Sequence, residues 1–137
     1  MAYWLIKTEP STWSWDDQKT KKVTSWDGVR NYQASNNMKA MKVGDLCFFY
    51  HSVSERRIMG IVQVSREYYP DPSDETGRFG MVDVIYGEEL PLAVSLDQIK
   101  LMPELQHLAL VRQSRLSVMP VDEPSWKLIC QMGGKRA

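Results

Sequence analysis

Apolar positions recur along this chain with two periods, and the places where the period changes mark its elements. Tyr3-Trp-Leu-Ile-Lys-Thr8 is dense in strand formers and is stopped by Pro10, which predicts a strand near the start. Ser14-Trp-Asp-Asp17 has the Ser-x-x-acid form that caps a helix, so a polar helix is expected to run to Lys22. Ala34, Met38 and Met41 then recur at helical spacing until Gly44 ends the pattern.

Leu46-Cys-Phe-Phe-Tyr-His-Ser52 reads as a strand. Its alternation puts Leu46, Phe48, Tyr50 and Ser52 on one face and Cys47, Phe49 and His51 on the other. Ile58 to Ser65 reads as its antiparallel partner, with Gly60 marking a bulge or a close backbone approach. Tyr68 to Gly77 is expected to be an exposed loop with a surface role only, and Gly80 to Tyr86 another alternating strand. Ser95-Leu-Asp-Gln98 is a second capping box, opening a short helix through Lys100. Pro103 starts a further turn carrying Leu105 and Leu108. Arg115 to Met119 reads as a strand with Leu116 and Val118 turned one way, Arg115 and Ser117 the other. Pro124 opens a closing helix that buries Trp126, Ile129 and Cys130 and ends at Gly133-Gly134.

Short strands with helices inserted between them predict an α+β domain over residues 1–137. The expected architecture is a curved mixed sheet, or partly closed β-barrel, capped by short helices. A doubly wound fold is disfavoured. Gly77-Arg-Phe-Gly80 lacks the Lys-Ser/Thr ending of a P-loop, and no G-x-G-x-x-G occurs.

Composition narrows the setting. The chain is 43% hydrophobic, as ordinary globular domains are. Cys47 and Cys130 sit in apolar runs without a neighbouring His or Cys, which suits buried, reduced thiols rather than a metal site or a disulfide. No apolar run approaches the roughly 18 residues of a membrane span, and no signal-peptide pattern opens the chain. A soluble protein is expected, cytoplasmic, or nuclear if the source is eukaryotic, and a monomer by default. The formal net charge is zero, but residues 1–66 carry ten Lys/Arg against six Asp/Glu and residues 67–137 carry seven against eleven. A basic face of Lys7, Lys19, Lys21, Lys22, Arg30, Lys39 and Lys42 would suit phosphate contact.

Four of the five tryptophans lie within the first 26 residues, among polar and glycine neighbours. Indoles beside Lys and Arg can form a platform for an unstacked base, although aromatic burial in a core is their commoner use. Catalytic signatures are missing. Two histidines must serve any imidazole mechanism, and neither cysteine has a sequence neighbour to activate it. Ser52, Ser114 and Ser117 are candidate nucleophiles only if folding brings them to His51. Binding without catalysis is the better reading, and no cofactor is called for.

Five segments carry a resemblance: Tyr3-Trp-Leu-Ile-Lys-Thr-Glu-Pro10, Trp26-Asp-Gly-Val-Arg-Asn-Tyr-Gln-Ala34, Met41-Lys-Val-Gly-Asp45, Phe49-Tyr-His-Ser52 and Arg112-Gln-Ser-Arg-Leu-Ser-Val118. In this order and spacing they resemble the EVE domain family over essentially the whole chain. The resemblance implies a PUA-like fold, related to YTH readers of methylated adenine and to the ASCH domain. It further implies recognition of a modified base in DNA, or alternatively in RNA, with 5-methyl- and 5-hydroxymethylcytosine the leading candidates.

A flipped base needs an aromatic face, edge hydrogen bonds and a recess for the added group. The resemblance places Trp26 as the stacking face, with Asn31, Tyr50, Ser52, Leu116 and Ser117 also on the ligand. Lys7, Arg30, His51 and Arg115 would stand at the rim or on phosphate. Structural alternatives stay open: Asp27-Gly28 as a mere turn, Arg30 paired to Asp27 or Glu9, Tyr50 in the core. A small-molecule or hydrolytic site with His51 as acid or base is the second reading. One residue departs from the pattern: Val53 stands where the family favours Asn, removing an amide that could order the pocket mouth.

Overall fold

A computed structural model describes residues 1–135. Its strands are β1 Tyr3–Thr8, β2 Val23–Trp26, β3 Leu46–His51, β4 Arg57–Pro70, β5 Gly80–Ser95 and β6 Val118–Val121. They form one six-stranded sheet in the order β2-β5-β4-β3-β1-β6. β1 and β3 are parallel, with Tyr3 opposite Leu46, and the other neighbours are antiparallel. Helices α1 Trp15–Lys21, α2 Tyr32–Ala40, α3 Leu96–Lys100, α4 Ala109–Arg112 and α5 Glu123–Met132 fill the connections, with a 3-10 turn at Pro103–Leu105.

The helix starts follow from short polar side chains. The Ser14 hydroxyl accepts the Asp17 N–H at 3.1 Å while the Asp17 carboxylate accepts the Ser14 N–H at 3.0 Å. Ser95 and Gln98 repeat this reciprocal pair at α3. Asn31 and Asp122 cap α2 and α5, each satisfying an N–H that the helix itself cannot.

The core is one cluster split by the sheet. On one side Phe48 stacks on Trp126 at 3.8 Å and Trp126 on Tyr3 at 4.5 Å. On the other, Phe49 meets Trp15 and Trp26 edge-on at 5.0 and 5.5 Å. Every residue from Cys47 to His51 is therefore buried. Two apolar faces are the rule for an inner strand in a parallel pair, whose crossover and helices cover both sides of the sheet.

Three expectations about extent are corrected, the first being that β5, expected to end at Tyr86, runs on to Ser95. β4 runs on to Pro70, so Tyr68 to Pro70 belong to the sheet and pair with β5 rather than forming a loop. β6 starts only at Val118, leaving Arg115 to Ser117 in the segment before it. β2 is a strand that its short, polar sequence did not reveal. Register shifts at Ile58/Gly60, Ile61/Val62, Val64/Arg66 and Arg66/Tyr69 bend the long β4–β5 ribbon. At the first of these, a Cβ on Gly60 would lie 2.3 Å from Trp15 Cζ2. The missing side chain is the slot that admits Trp15.

Candidate nucleic-acid interface

Trp26 lies in β2, and Ser117 directly precedes β6. These strands are the opposite edges of the sheet, yet both residues line one cavity of about 480 Å³. The sheet curls until its edges almost meet, and the cavity occupies the seam.

Its walls are built from neighbouring elements. Trp26 is only 7% exposed, its ring held edge-on by Phe49, so a narrow strip of indole is left to the cavity. Trp13 supplies a second, more open aromatic wall. The Trp13 Nε1–H donates to Gln18 Oε1 at 2.9 Å, and the Gln18 amide donates to the Lys22 carbonyl at 2.9 Å. Thr8 Oγ1 donates to the Trp13 carbonyl at 2.9 Å, tying that wall to the end of β1. Lys7 and Lys21 add positive charge, and Asp27 is the one carboxylate among the described residues of the lining.

The Gly28–Arg30 segment is anchored from outside the cavity. Buried Asp71 accepts the Gly28 N–H at 2.9 Å and the Arg30 Nη1–H at 3.2 Å, while Arg30 Nη2–H donates to Ser73 Oγ at 3.0 Å. Gly28 itself has φ +77, a left-handed conformation that favours glycine. Burial opposes ionisation of Asp71, but the Ser73 hydroxyl, the Gly28 and Ser73 N–H groups and Arg30 outweigh it and hold the carboxyl down to about 2. The loop after β4 therefore buttresses the cavity, where the sequence suggested a surface role only. Arg30 pairs with Asp71, not with Asp27 or Glu9; two of its guanidinium bonds go to that loop and a third to the Val29 carbonyl.

Lys7 stands between this cavity and a second one of about 640 Å³. Its ammonium donates to the Ser114 carbonyl at 3.0 Å, its backbone N–H to the Ser117 carbonyl at 2.9 Å, and burial lowers its pKa. Tyr50, Ser52 and Arg115 line the second cavity with Arg56 and Lys100. Burial pushes the Tyr50 phenol up to about 12 despite Arg56 nearby, so it stays a neutral hydroxyl. Asn31 and Leu116 border a third hollow of about 300 Å³, which Arg115 also lines. The Asn31 side-chain oxygen, Oδ1, is occupied by the Ala34 N–H at 2.9 Å.

The ten residues singled out in the sequence are thus divided. Trp26, Ser117, Lys7 and Arg30 share the first cavity. Tyr50, Ser52 and Arg115 sit in the adjoining one, and Asn31 and Leu116 outside both.

His51 lies apart from the others: it is 4% exposed and lines none of these hollows, unlike the rim position expected for it. Its Nε2 accepts the Trp15 backbone N–H at 2.9 Å, which puts the imidazole proton on Nδ1. Nδ1 lies 3.2 Å from Glu55 Oε2 but off the hydrogen-bonding axis, an ion-pair contact at most. An acid or base facing the cavity is not available from this ring.

A Ser-His-Asp group does assemble elsewhere. His107 Nε2 lies 2.7 Å from Asp122 Oδ1 and 3.3 Å from Ser125 Oγ. Both partners use the same nitrogen, whereas nucleophile activation needs the acid and the hydroxyl on opposite nitrogens of the ring. Its role is to hold the α5 cap. Cys47 and Cys130 are buried free thiols whose pKa values burial raises. Among the described residues, no three His, Cys, Asp or Glu gather to hold a metal, and no helix is long and apolar enough to cross a membrane.

Sequence reasoning missed Trp13, Thr8 and Asp27 as cavity residues. The crowding of tryptophans before residue 27 was the available signal, but Trp4 and Trp15 are core, and nothing local separates them from Trp13.

A six-stranded mixed sheet with short helices, curled so that both edges border one aromatic cavity, is the α+β architecture the sequence predicted. The chain belongs to the EVE domain family, whose model matches residues 2–132. Thymocyte nuclear protein 1 of Rattus norvegicus is 32% identical over 164 residues, covering 95% of this chain and 73% of its own. A crystal structure of an Agrobacterium tumefaciens protein superposes with TM-score 0.96 at 45% identity, covering 98% of this chain and 94% of that one. The human THYN1 protein, solved in complex with 5-methylcytosine-containing DNA, superposes with TM-score 0.91 at 30% identity, covering 100% of both chains.

Proposed function

We propose that this chain is a non-enzymatic reader of modified cytosine in DNA, taking one extruded base into the cavity beside Trp26. The cavity itself carries the reading. About 480 Å³ lies within the range of roughly 300–1,000 Å³ typical of small-ligand sites, and two indoles border it. Likeness to a human protein solved with 5-methylcytosine-containing DNA supports a cytosine derivative as the base. Asp27 suits that choice, because a carboxylate accepts from the cytosine N4 amino group. RNA carrying the same base is the alternative substrate.

The second cavity extends the site. It shares Lys7, Thr8 and Ser117 with the first and adds Arg56, Lys100 and Arg115. We assign it to the phosphates flanking the extruded base. The inward position of His51, whose Nε2 is taken by the Trp15 N–H, supports binding without catalysis.

Titration of single-stranded oligonucleotides with and without 5-methylcytosine tests this directly. Tighter binding of the modified strand is expected, with affinity falling as salt rises because Lys and Arg displace phosphate counterions. Trp26→Ala should remove the preference for the methylated base. Equal, salt-independent affinities for the two strands would refute the reading.

A further inference from the structure

Beyond the cavity, the largest exposed aromatic group is a step next to it. Tyr32, the first residue of α2, is 59% exposed, and its ring packs on Phe79 with centroids 4.9 Å apart and planes at 38°. The Arg30 guanidinium lies 5.7 Å from the Phe79 centroid, and Arg30 also lines the cavity. Arg30, Phe79 and Tyr32 therefore form a row of neighbouring planar groups that begins at the cavity with Arg30. A tyrosine left this open gains little from burial, while its ring remains available as a stacking face.

The step is also fixed in place. Asp74 accepts the Phe79 N–H at 2.7 Å together with the Thr76 N–H and hydroxyl. Asp71 holds Arg30 and Ser73. The two carboxylates are spent on the loop's own donors and on Arg30, which fixes the loop that carries Phe79. Rings presented on an ordered loop lose little freedom when a ligand stacks on them.

We infer that Tyr32, backed by Phe79 and Arg30, is a second stacking site, which receives the nucleobase next to the extruded one on the same strand. The inference rests on the reading of the cavity as a base pocket. Extruding one base breaks its stacking on both neighbours, and an aromatic step at the pocket edge replaces one of those lost contacts. It also gives the strand a second point of hold, independent of which base is methylated.

The test pairs one protein change with one ligand change. Oligonucleotides carrying 5-methylcytosine are compared with versions bearing an abasic site on its 5′ or its 3′ side, using the full chain and its Tyr32→Ala and Tyr32→Trp variants. For the unaltered protein, removing the base on one of the two sides should weaken binding roughly tenfold. Tyr32→Ala should lose a similar factor on the intact strand, yet lose nothing more on that abasic strand. Tyr32→Trp should bind at least as well as the original. Throughout, the ratio of modified to unmodified affinity should stay unchanged. Unaltered affinity of Tyr32→Ala, or equal abasic losses with and without Tyr32, would overturn the stacking site while leaving the pocket intact. Loss of methyl discrimination in the unaltered chain would instead count against the pocket.

Discussion

Single residues decide how this site is shaped, and Val53 shows it most sharply. Its φ is +69, a region where β-branched residues are outliers, and the Ser54 N–H donates back to the Ser52 carbonyl at 3.0 Å across it. The Arg56 side chain donates to the Val53 carbonyl at 3.1 Å, holding the turn at the mouth of the second cavity. Asparagine tolerates a positive φ far better than valine. Val53→Asn should stabilise the chain by about 1 kcal/mol, raising Tm by roughly 4 °C in a thermal melt. A lowered Tm would show that the turn is not strained. The departure from the family pattern was legible in the sequence, but its backbone cost was not, because φ is set by how β3 must turn into β4. Trp26 makes the same point. Its neighbours suggested exposure as much as burial, and only packing on Phe49 shows that most of the indole is interior.

At the scale of elements, the local rules performed well wherever a side chain answers to its own backbone. Both capping boxes are observed where short-range chemistry put them, and α5 starts at Glu123, one residue before the Pro124 expected to open it. Elements that depend on distant partners were harder. β2 exists because β5 offers it a free edge, and β4 and β5 are long because each extends the other. Gly60 joins the two levels: its sequence setting implied a bulge or a close approach, and the structure shows both. Gly60→Ala should destabilise the fold by about 3 kcal/mol, because the new methyl collides with the Trp15 ring and lies 2.7 Å from the Glu88 carbonyl. A urea titration would read this as a lower midpoint at unchanged slope. Near-wild-type stability would mean that Trp15 can leave its slot, and Trp15 is what keeps the His51 Nε2 occupied.

Taken as a whole, the molecule is closed by a few contacts between remote segments, and Asp71 is the chief of them. It joins positions 43 and 41 residues away, Gly28 and Arg30, on the cavity wall. Its folded-state pKa lies below the unfolded value, so its contribution is complete above about pH 4 and is lost as pH falls through about 2. The shift corresponds to about 2 kcal/mol. Melts across pH 6 to 2 should therefore show Asp71→Asn less stable at the upper end, with the gap closing toward the lower. A gap independent of pH would assign the loss to packing rather than to the charge.

What the sequence determined by itself was the inventory: mixed elements, capped helices, an apolar central strand, an aromatic-rich start and the segments that resemble the EVE family. These depend on neighbours within a few positions, where one side chain, one hydrogen bond or one period is enough to speak. Which residues meet was decided only by the curl of the sheet. Bulges in β4–β5 bring Trp26 and Ser117 from opposite edges to one cavity, send Tyr50 and Ser52 into the next, and fold His51 inward against Trp15. Curvature adds up over the whole ribbon, so no short stretch of sequence contains it.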